Sequence, residues 1–393
     1  MVPKKVVIEK ADRLYQLPPE PESYLPERRR RSLVKKTEVL DLGTFRWPVG
    51  HDPEQQFTGD DLSPASGELI GALKEELANW YQNLFGVRLV VDKEIFIGGS
   101  SSTLIYNLSL GFVDHGDIVF VPEVGLPLYR RAALACGAEA VSYSVSARNN
   151  YLPDFERVNT RLGRVARLLF LNSPHNPTGA ELNEKDLSSL IFQAGRDNII
   201  VVNDIAYLTL AGRKPISLMS LTGGKRIGVE VGSFSYLFGL PRMPLGFVVG
   251  NRDVINGLRL ATRLTPQVAT RYQVNLALAA IQRYPSEALN GLRRNISATR
   301  AEAIKLLDLL DLEVAGYDTV PFVWGKIERR RQATYAASQL FRRGRILAIP
   351  GVAFGESGEG YLRFSLSQPA ETFRKAAERV RKKPRVFKLV KER

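Results

Sequence analysis

Four short, unbroken apolar runs constrain what this chain can fold into more than any other feature. They are Ile118-Val119-Phe120-Val121, Leu168-Leu169-Phe170-Leu171, Ile199-Ile200-Val201-Val202 and Phe247-Val248-Val249. A strand with one face in water alternates apolar and polar residues, so runs without alternation belong to strands covered on both faces. Stretches of helical spacing lie between several of them. One is Leu187 to Ala194, preceded by Asn183 as a cap with Asp186 three residues on. Buried strands separated by helices, beginning near Ile95, predict an α/β chain with a mostly parallel sheet and helices on both sides. Ligands of such sheets bind beyond the carboxyl ends of the strands.

The flanking segments read differently. Residues 1 to about 40 are polar, basic and rich in proline, and Pro18, Pro19, Pro21 and Pro26 argue for an extended arm without helix. Gly59 to Pro64 reads as a loop. Ser66 to about Phe85 reads as a helix with Leu69, Leu73, Leu77 and Trp80 on one face. After residue 285 a long helix runs from Ser286 towards Leu310. Short strands and helices at about 332–343 and 370–382 follow. The 393 residues suffice for two domains. The expected division is an arm of 1–45, a large α/β domain of 46–285 and a smaller α+β domain of 286–393.

The formal net charge is +14, which raises nucleic acid or another polyanion as a partner. The basic residues come in small clusters such as Arg28 to Arg31 and Arg342-Arg343-Arg345, without a basic groove interleaved with aromatics. That partner is therefore not favoured. Cys136 is the single cysteine and His51, His115 and His175 are the only histidines. Neither an intrachain disulfide nor a cysteine- or histidine-rich metal site is expected. No apolar run is long enough to span a bilayer, and a cytoplasmic location without membrane contact is expected.

Four motifs carry the chemistry. Gly98-Gly99-Ser100-Ser101-Ser102-Thr103 is a glycine turn leading into a helix, which offers free N–H groups to an anion, or is a serine-rich helix cap. Asn172-Ser173-Pro174-His175-Asn176-Pro177-Thr178-Gly179 follows the second apolar run. Asp204-Ile205-Ala206-Tyr207 follows the third, and a buried carboxylate there needs a partner. Gly360-Tyr361-Leu362-Arg363-Phe364-Ser365 sets a guanidinium, suited to gripping a carboxylate, near the end of the chain. It is preceded by Pro350-Gly351-Val352-Ala353-Phe354-Gly355.

In order and spacing these segments resemble class I/II aminotransferases, the fold-type-I enzymes that use pyridoxal phosphate, over about Leu40 to Arg379. The resemblance implies a homodimer and a phosphate cup at Ser100, Ser101 and Ser102. It implies that Asn176 and Tyr207 hydrogen-bond the ring hydroxyl, that Asp204 pairs with the pyridinium nitrogen, and that Arg363, with Asn176, holds the substrate α-carboxylate. It also covers Ser233 to Phe247, where the family has S-x-S-K-x-x-G-L-P-G-x-R-x-G. Here Tyr236 stands at the lysine that bonds the cofactor, and Pro244 stands at the phosphate-binding arginine. A phenol forms no imine and proline donates no hydrogen bond. Leu126 replaces the stacking aromatic of P-G-Y-P-x-Y, and Leu62 falls where a tyrosine of the neighbouring subunit reaches the phosphate. Arg242, two residues before Pro244, is a candidate substitute for the lost arginine. Ser233 keeps its place.

The main expectation is a catalytically degenerate member of that family that binds an amino acid or another α-carboxylate, or regulates, with no covalently attached cofactor. One alternative is an active aminotransferase-like enzyme using non-covalent pyridoxal or pyridoxamine phosphate on an amino- or keto-acid. Tyr236 would serve there as an acid or base only if its pKa fell by several units from ~10. The other is a polyanion binder reusing the fold.

Overall fold

The structure is a computed structural model that describes residues 10–25, 38–45, 59–153, 165–240, 243–327 and 332–382. Helix α1 (Gly67–Phe85) starts where the Ser66 side chain accepts from Leu69 N–H and stops at Gly86, whose φ of 72° suits glycine. Its Leu73, Leu77, Trp80 and Tyr81 are buried. There follow β1 (Ile95–Gly98), α2 (Ser101–Phe112), β2 (Ile118–Pro122), α3 (Pro127–Ala135), β3 (Glu139–Tyr143), β4 (Ala166–Asn172) and α4 (Glu184–Asp197). Next come β5 (Ile200–Asp204), β6 (Gly228–Ser233), α5 (Phe234–Phe238), β7 (Gly246–Gly250), α6 (Arg252–Ala261) and α7 (Arg271–Gln282).

These strands form one seven-stranded sheet in the order β1-β7-β6-β5-β4-β2-β3. All pairings are parallel except those of β7, which runs antiparallel to β1 and β6. The unbroken apolar runs are explained by two cores, one on each face. In β2, Ile118 and Phe120 join the core under α1, α4 and α7, while Val119 and Val121 join the one under α2, α3 and α6. The sequence expectation did not include β3. It is the edge strand, and its mixed burial leaves no apolar run to recognise.

The rest of the chain gives α8 (Glu287–Leu309), β8 (Leu312–Ala315), β9 (Phe322–Ile327), α9 (Ala333–Gly344), β10 (Ile349–Pro350), β11 (Tyr361–Ser365) and α10 (Ala370–Arg381). Its sheet is antiparallel with the order β10-β11-β9-β8. A third core packs Leu306, Leu307, Phe322, Leu340 and Phe373. Leu40 and Leu42 belong to that core too, and Leu40–Asp41 pairs in parallel with Ile346–Leu347.

Two local expectations are corrected. The arm is not wholly extended: Asp12–Tyr15 is one helical turn and Pro21–Tyr24 a 3₁₀ turn. Pro21 sits at the first position of its turn, where a missing N–H costs nothing. Gly59–Leu62 is likewise a 3₁₀ turn and not an open loop. The arm is anchored on its own chain, with Arg131 Nε donating to Pro18 O at 2.7 Å and Leu25 buried. Pro26 and the cluster Arg28 to Arg31 lie outside the described residues. Among the described residues no helix is long and apolar enough to cross a membrane.

Candidate functional site

Asn172, Asp204 and Ser233 are the last residues of β4, β5 and β6, so three neighbouring strands end at one place. Asn172 ties the first two ends together. Its Nδ2 donates to Asp204 O at 2.9 Å, and its Oδ1 accepts from Asn176 N–H at 2.8 Å. The Asp204 carboxylate accepts from Tyr129 OH at 2.8 Å and from Ala206 N–H at 3.0 Å. Burial pushes its pKa up to about 6, against the pull of those two donors. No cation among the described residues pairs with it.

Asn176 links this strand end to β11. Its Nδ2 donates to Tyr207 OH at 3.0 Å, and its Oδ1 accepts from Arg363 at 3.3 Å. The Arg363 guanidinium is held between the rings of Phe322 and Phe354, at 4.1 and 4.6 Å. A second N–H group donates to Gly43 O at 3.4 Å, while Nε has no partner. Arg363 is 3% exposed and forms no ion pair among the described residues. Burial lowers its pKa to about 10, so it stays charged at neutral pH.

Tyr236 joins the same cluster from α5. Its ring centroid lies 5.2 Å from that of Tyr207 and 5.3 Å from that of Phe45, both tilted or edge-on contacts. Phe322 completes the aromatic set, 5.8 Å from Tyr207 and 5.9 Å from Phe45. Burial pushes the Tyr236 phenol up to about 12, with Arg363 pulling the other way. That shift is opposite to the one an acid–base role requires.

The cup lies beside Ser233. Ser233 is in register with Gly246, and a Cβ on Gly246 would stand 2.9 Å from Ser101 N and 3.0 Å from Gly99 O. The Ser100 hydroxyl is used as the cap of α2, accepting from Thr103 N–H at 3.2 Å and meeting Thr103 Oγ1 at 3.0 Å. Ser101 is half-buried and Ser102 exposed. The Gln267 side chain lies directly over Gly99. Pro244 is exposed, and Leu62 is 70% exposed. Arg242 lies outside the described residues.

Sequence reasoning thus picked out Asn176, Asp204, Tyr207, Tyr236 and Arg363, and the structure brings them into one connected cluster of contacts. It missed the supports. Tyr129 and Phe354 stand inside segments already noted for their pattern, so a signal existed. Phe45, Phe322 and Gln267 carried none.

A pyridoxal-type ring fits part of this site. Asp204 is a buried carboxylate short of a cation, and the Asn176–Tyr207 pair is set for an oxygen substituent. The fit fails at position 236, which has no amine, at Pro244, which has no donor, and at Leu126, which has no ring.

Residues 64–380 match the profile of the family described as aminotransferase class I and II. The chain is 31% identical to an LL-diaminopimelate aminotransferase of Halothermothrix orenii, over 97% of this chain and 100% of that protein. It is 27% identical to an LL-diaminopimelate aminotransferase of Aquifex aeolicus, over 95% and 99% of the two. Among solved structures, substrate-bound BacF from Bacillus subtilis shares the fold at a TM-score of 0.87 and 24% identity, covering 96% of this chain and 98% of that one. With the match over most of its length, and with Asn172, Asp204 and Ser233 at the carboxyl ends of three neighbouring strands, the chain belongs to the aminotransferase class I and II family.

Proposed function

We propose that the cleft binds an α-amino or α-keto acid together with pyridoxal or pyridoxamine phosphate held without a covalent link, and that the protein works as a non-covalent variant of an aminotransferase. The carrying observation is a pair of buried opposite charges, Asp204 and Arg363, neither with a counter-ion among the described residues. Isolated buried charges are costly. A ligand set that brings a cation to Asp204 and a carboxylate to Arg363 relieves both costs. The names of the relatives support aminotransferase chemistry.

When bound, the ring would supply an electron sink, which Asp204 favours by keeping the ring nitrogen protonated. Tyr129 and Ala206 N–H orient the Asp204 carboxylate. Phe322 and Phe354 hold the guanidinium plane so that its free edge meets a carboxylate. Asn176 couples the two halves. Tyr236 contributes a neutral phenol and aromatic surface. The lost phosphate grip and stacking ring are worth roughly 1.5–3 and about 1 kcal/mol, so cofactor binding should be weak and reversible.

The test is calorimetric titration of pyridoxamine phosphate and of pyruvate, singly and together. Pyruvate binding that depends on Arg363 and pyridoxamine phosphate binding that depends on Asp204 support the reading. Binding indifferent to both residues removes it.

A second reading, a degenerate ligand-binding or regulatory protein, is favoured by the packed set Phe45, Tyr207 and Tyr236. Amino-group transfer between alanine and an added keto acid separates the two. We propose further that a second copy covers the cup. Leu264 and Val268 are 72% and 65% exposed beside Gln267, and Leu62 is on the segment bridged to Thr270 through Pro64. Sedimentation showing a monomer at micromolar concentration would remove that proposal.

A further inference from the structure

The antiparallel sheet meets the segment after β4 at two points. The first is the turn between β8 and β9. Tyr317 N–H donates to Thr178 O at 2.7 Å, and Thr319 Oγ1 donates to Gly179 O. The two backbones are so close that neither has room for a side chain. A Cβ on Gly316 would stand 2.1 Å from Thr178 O, and one on Gly179 2.5 Å from Tyr317 O. Both glycines also have positive φ, 82° and 74°, so an alanine is strained there as well. The second point is Arg363, on β11 of the same sheet, which donates to Asn176 Oδ1 at 3.3 Å.

Asn176 lies two residues before Thr178, in a segment tied at every step. Asn176 N–H is held by Asn172 Oδ1 at 2.8 Å. Gly179 N–H closes the turn on His175 O at 2.6 Å, and Thr178 Oγ1 meets His175 Nδ1 at 2.8 Å. His175 N–H in turn donates to Ala180 O at 2.9 Å. His175, Asn176 and Thr178 are all buried. In so close-packed a segment a displacement of Thr178 is passed on to Asn176.

We infer that Gly316 is a positioning residue: its backbone contact with Thr178 fixes Asn176 against Arg363 and Tyr207, and so sets the grip on an α-carboxylate. The inference rests on the carboxylate-binding reading above and adds to it a residue that touches none of the cluster. A hydrogen bond to a charged group depends steeply on distance, and at 3.3 Å the Asn176–Arg363 bond is near the end of its range. A shift of about 1 Å breaks it.

The test compares two glycines of like backbone. Gly86 has a φ of 72° and nothing within 4 Å of its Cβ position. Gly86→Ala therefore strains the chain and touches nothing, whereas Gly316→Ala adds a collision with Thr178. Pyruvate affinity is read by calorimetry on the full chain, and backbone exchange over residues 173–179 by hydrogen–deuterium mass spectrometry. Gly316→Ala should bind pyruvate about 10-fold more weakly, the loss of one charge-assisted hydrogen bond, and should exchange faster over 173–179. Gly86→Ala should match the parent in both. In an Asn176→Ala background, Gly316→Ala should cost no further affinity. Should Gly316→Ala not fold, Thr319→Val removes one hydrogen bond from the same contact without added bulk. It should weaken pyruvate binding about 3-fold, and Thr319→Ser should restore it. Parent-like affinity in the folded variant of this contact overturns the inference. So does an equal loss in Gly86→Ala, or a loss that adds to that of Asn176→Ala. If the parent binds no pyruvate, the carboxylate reading falls and exchange decides the rest: faster exchange in the variant keeps Gly316 as the support of Asn176, and unchanged exchange removes it.

Discussion

Two buried carboxylates stand on neighbouring strands of the large sheet and are treated in opposite ways. Glu230, in the middle of β6, receives Ser217 Oγ at 2.7 Å, Leu218 N–H at 2.7 Å, Tyr81 OH at 3.0 Å and Asn203 Nδ2 at 3.5 Å. Asp204, at the end of β5, receives two donors, and the site it belongs to also holds the Arg363 guanidinium, whose Nε has no partner. A carboxylate saturated by its own protein is a structural joint: it ties α1, β5, β6 and the Ser217 turn together. One left short of donors, with no cation paired to it among the described residues, is a place for a ligand. Burial raises both pKa values, so the shift alone does not separate them; the count of donors does.

The largest expected effect breaks the joint. Glu230→Ala leaves the Tyr81, Ser217 and Leu218 donors buried without acceptors. Stability should fall by roughly 3–9 kcal/mol in urea unfolding, at about 1–3 kcal/mol for each of the three stranded groups. Next comes the cleft's cation. Arg363→Ala should weaken α-carboxylate binding about 100-fold in calorimetry, the loss of two charge-assisted hydrogen bonds, with little change in unfolding midpoint.

Asp204 gives the contrasting result to Glu230. Its ordinary value is 3.8 and its folded value about 6. Between those values the folded state holds the extra proton. Asp204 therefore makes stability fall as pH rises from about 4 to about 6 and adds no further slope above. Asp204→Asn should remove a fall of roughly 3 kcal/mol over that window and be at least as stable as the parent at pH 7. Binding of a cationic ring in the parent should strengthen over the same window, as the carboxylate ionises.

The smallest effect is a coupling. Tyr236→Lys alone should add little affinity for pyridoxal phosphate. Combined with Pro244→Arg and Leu126→Tyr it should exceed the sum of the single changes by about 1 kcal/mol, because the three act on one ligand. Strict additivity would place them in separate environments.

The difference between these regions also marks what was legible in the sequence. The apolar runs announced β2, β4, β5 and β7, because burial on both faces leaves no room for polar residues. The capping residues Ser66, Asn183 and Ser286 marked where α1, α4 and α8 begin, since a helix start needs a local acceptor. Asp204 and Asn176 were readable from motifs at the ends of apolar runs, Asp204 closing β5 and Asn176 lying in the turn that follows β4. Glu230 was not: one acid inside Gly228–Ser233 says nothing of Tyr81 or Ser217, which are brought to it only by tertiary packing. The same holds for Phe45 and Phe322, drawn from distant segments against Tyr207 and Tyr236. Spacing along the chain encodes local structure, while the donors around a buried charge come from wherever the fold delivers them.

The most direct test of the central claim is native mass spectrometry after incubation with pyridoxal phosphate, with and without borohydride reduction. The expected result is a saturable mass increment of one cofactor per chain that disappears on denaturation whether or not the sample was reduced. An increment that survives denaturation after reduction and maps to a lysine would contradict the account, because the ring would then be held by a covalent bond and not by Asp204, Asn176 and Tyr207.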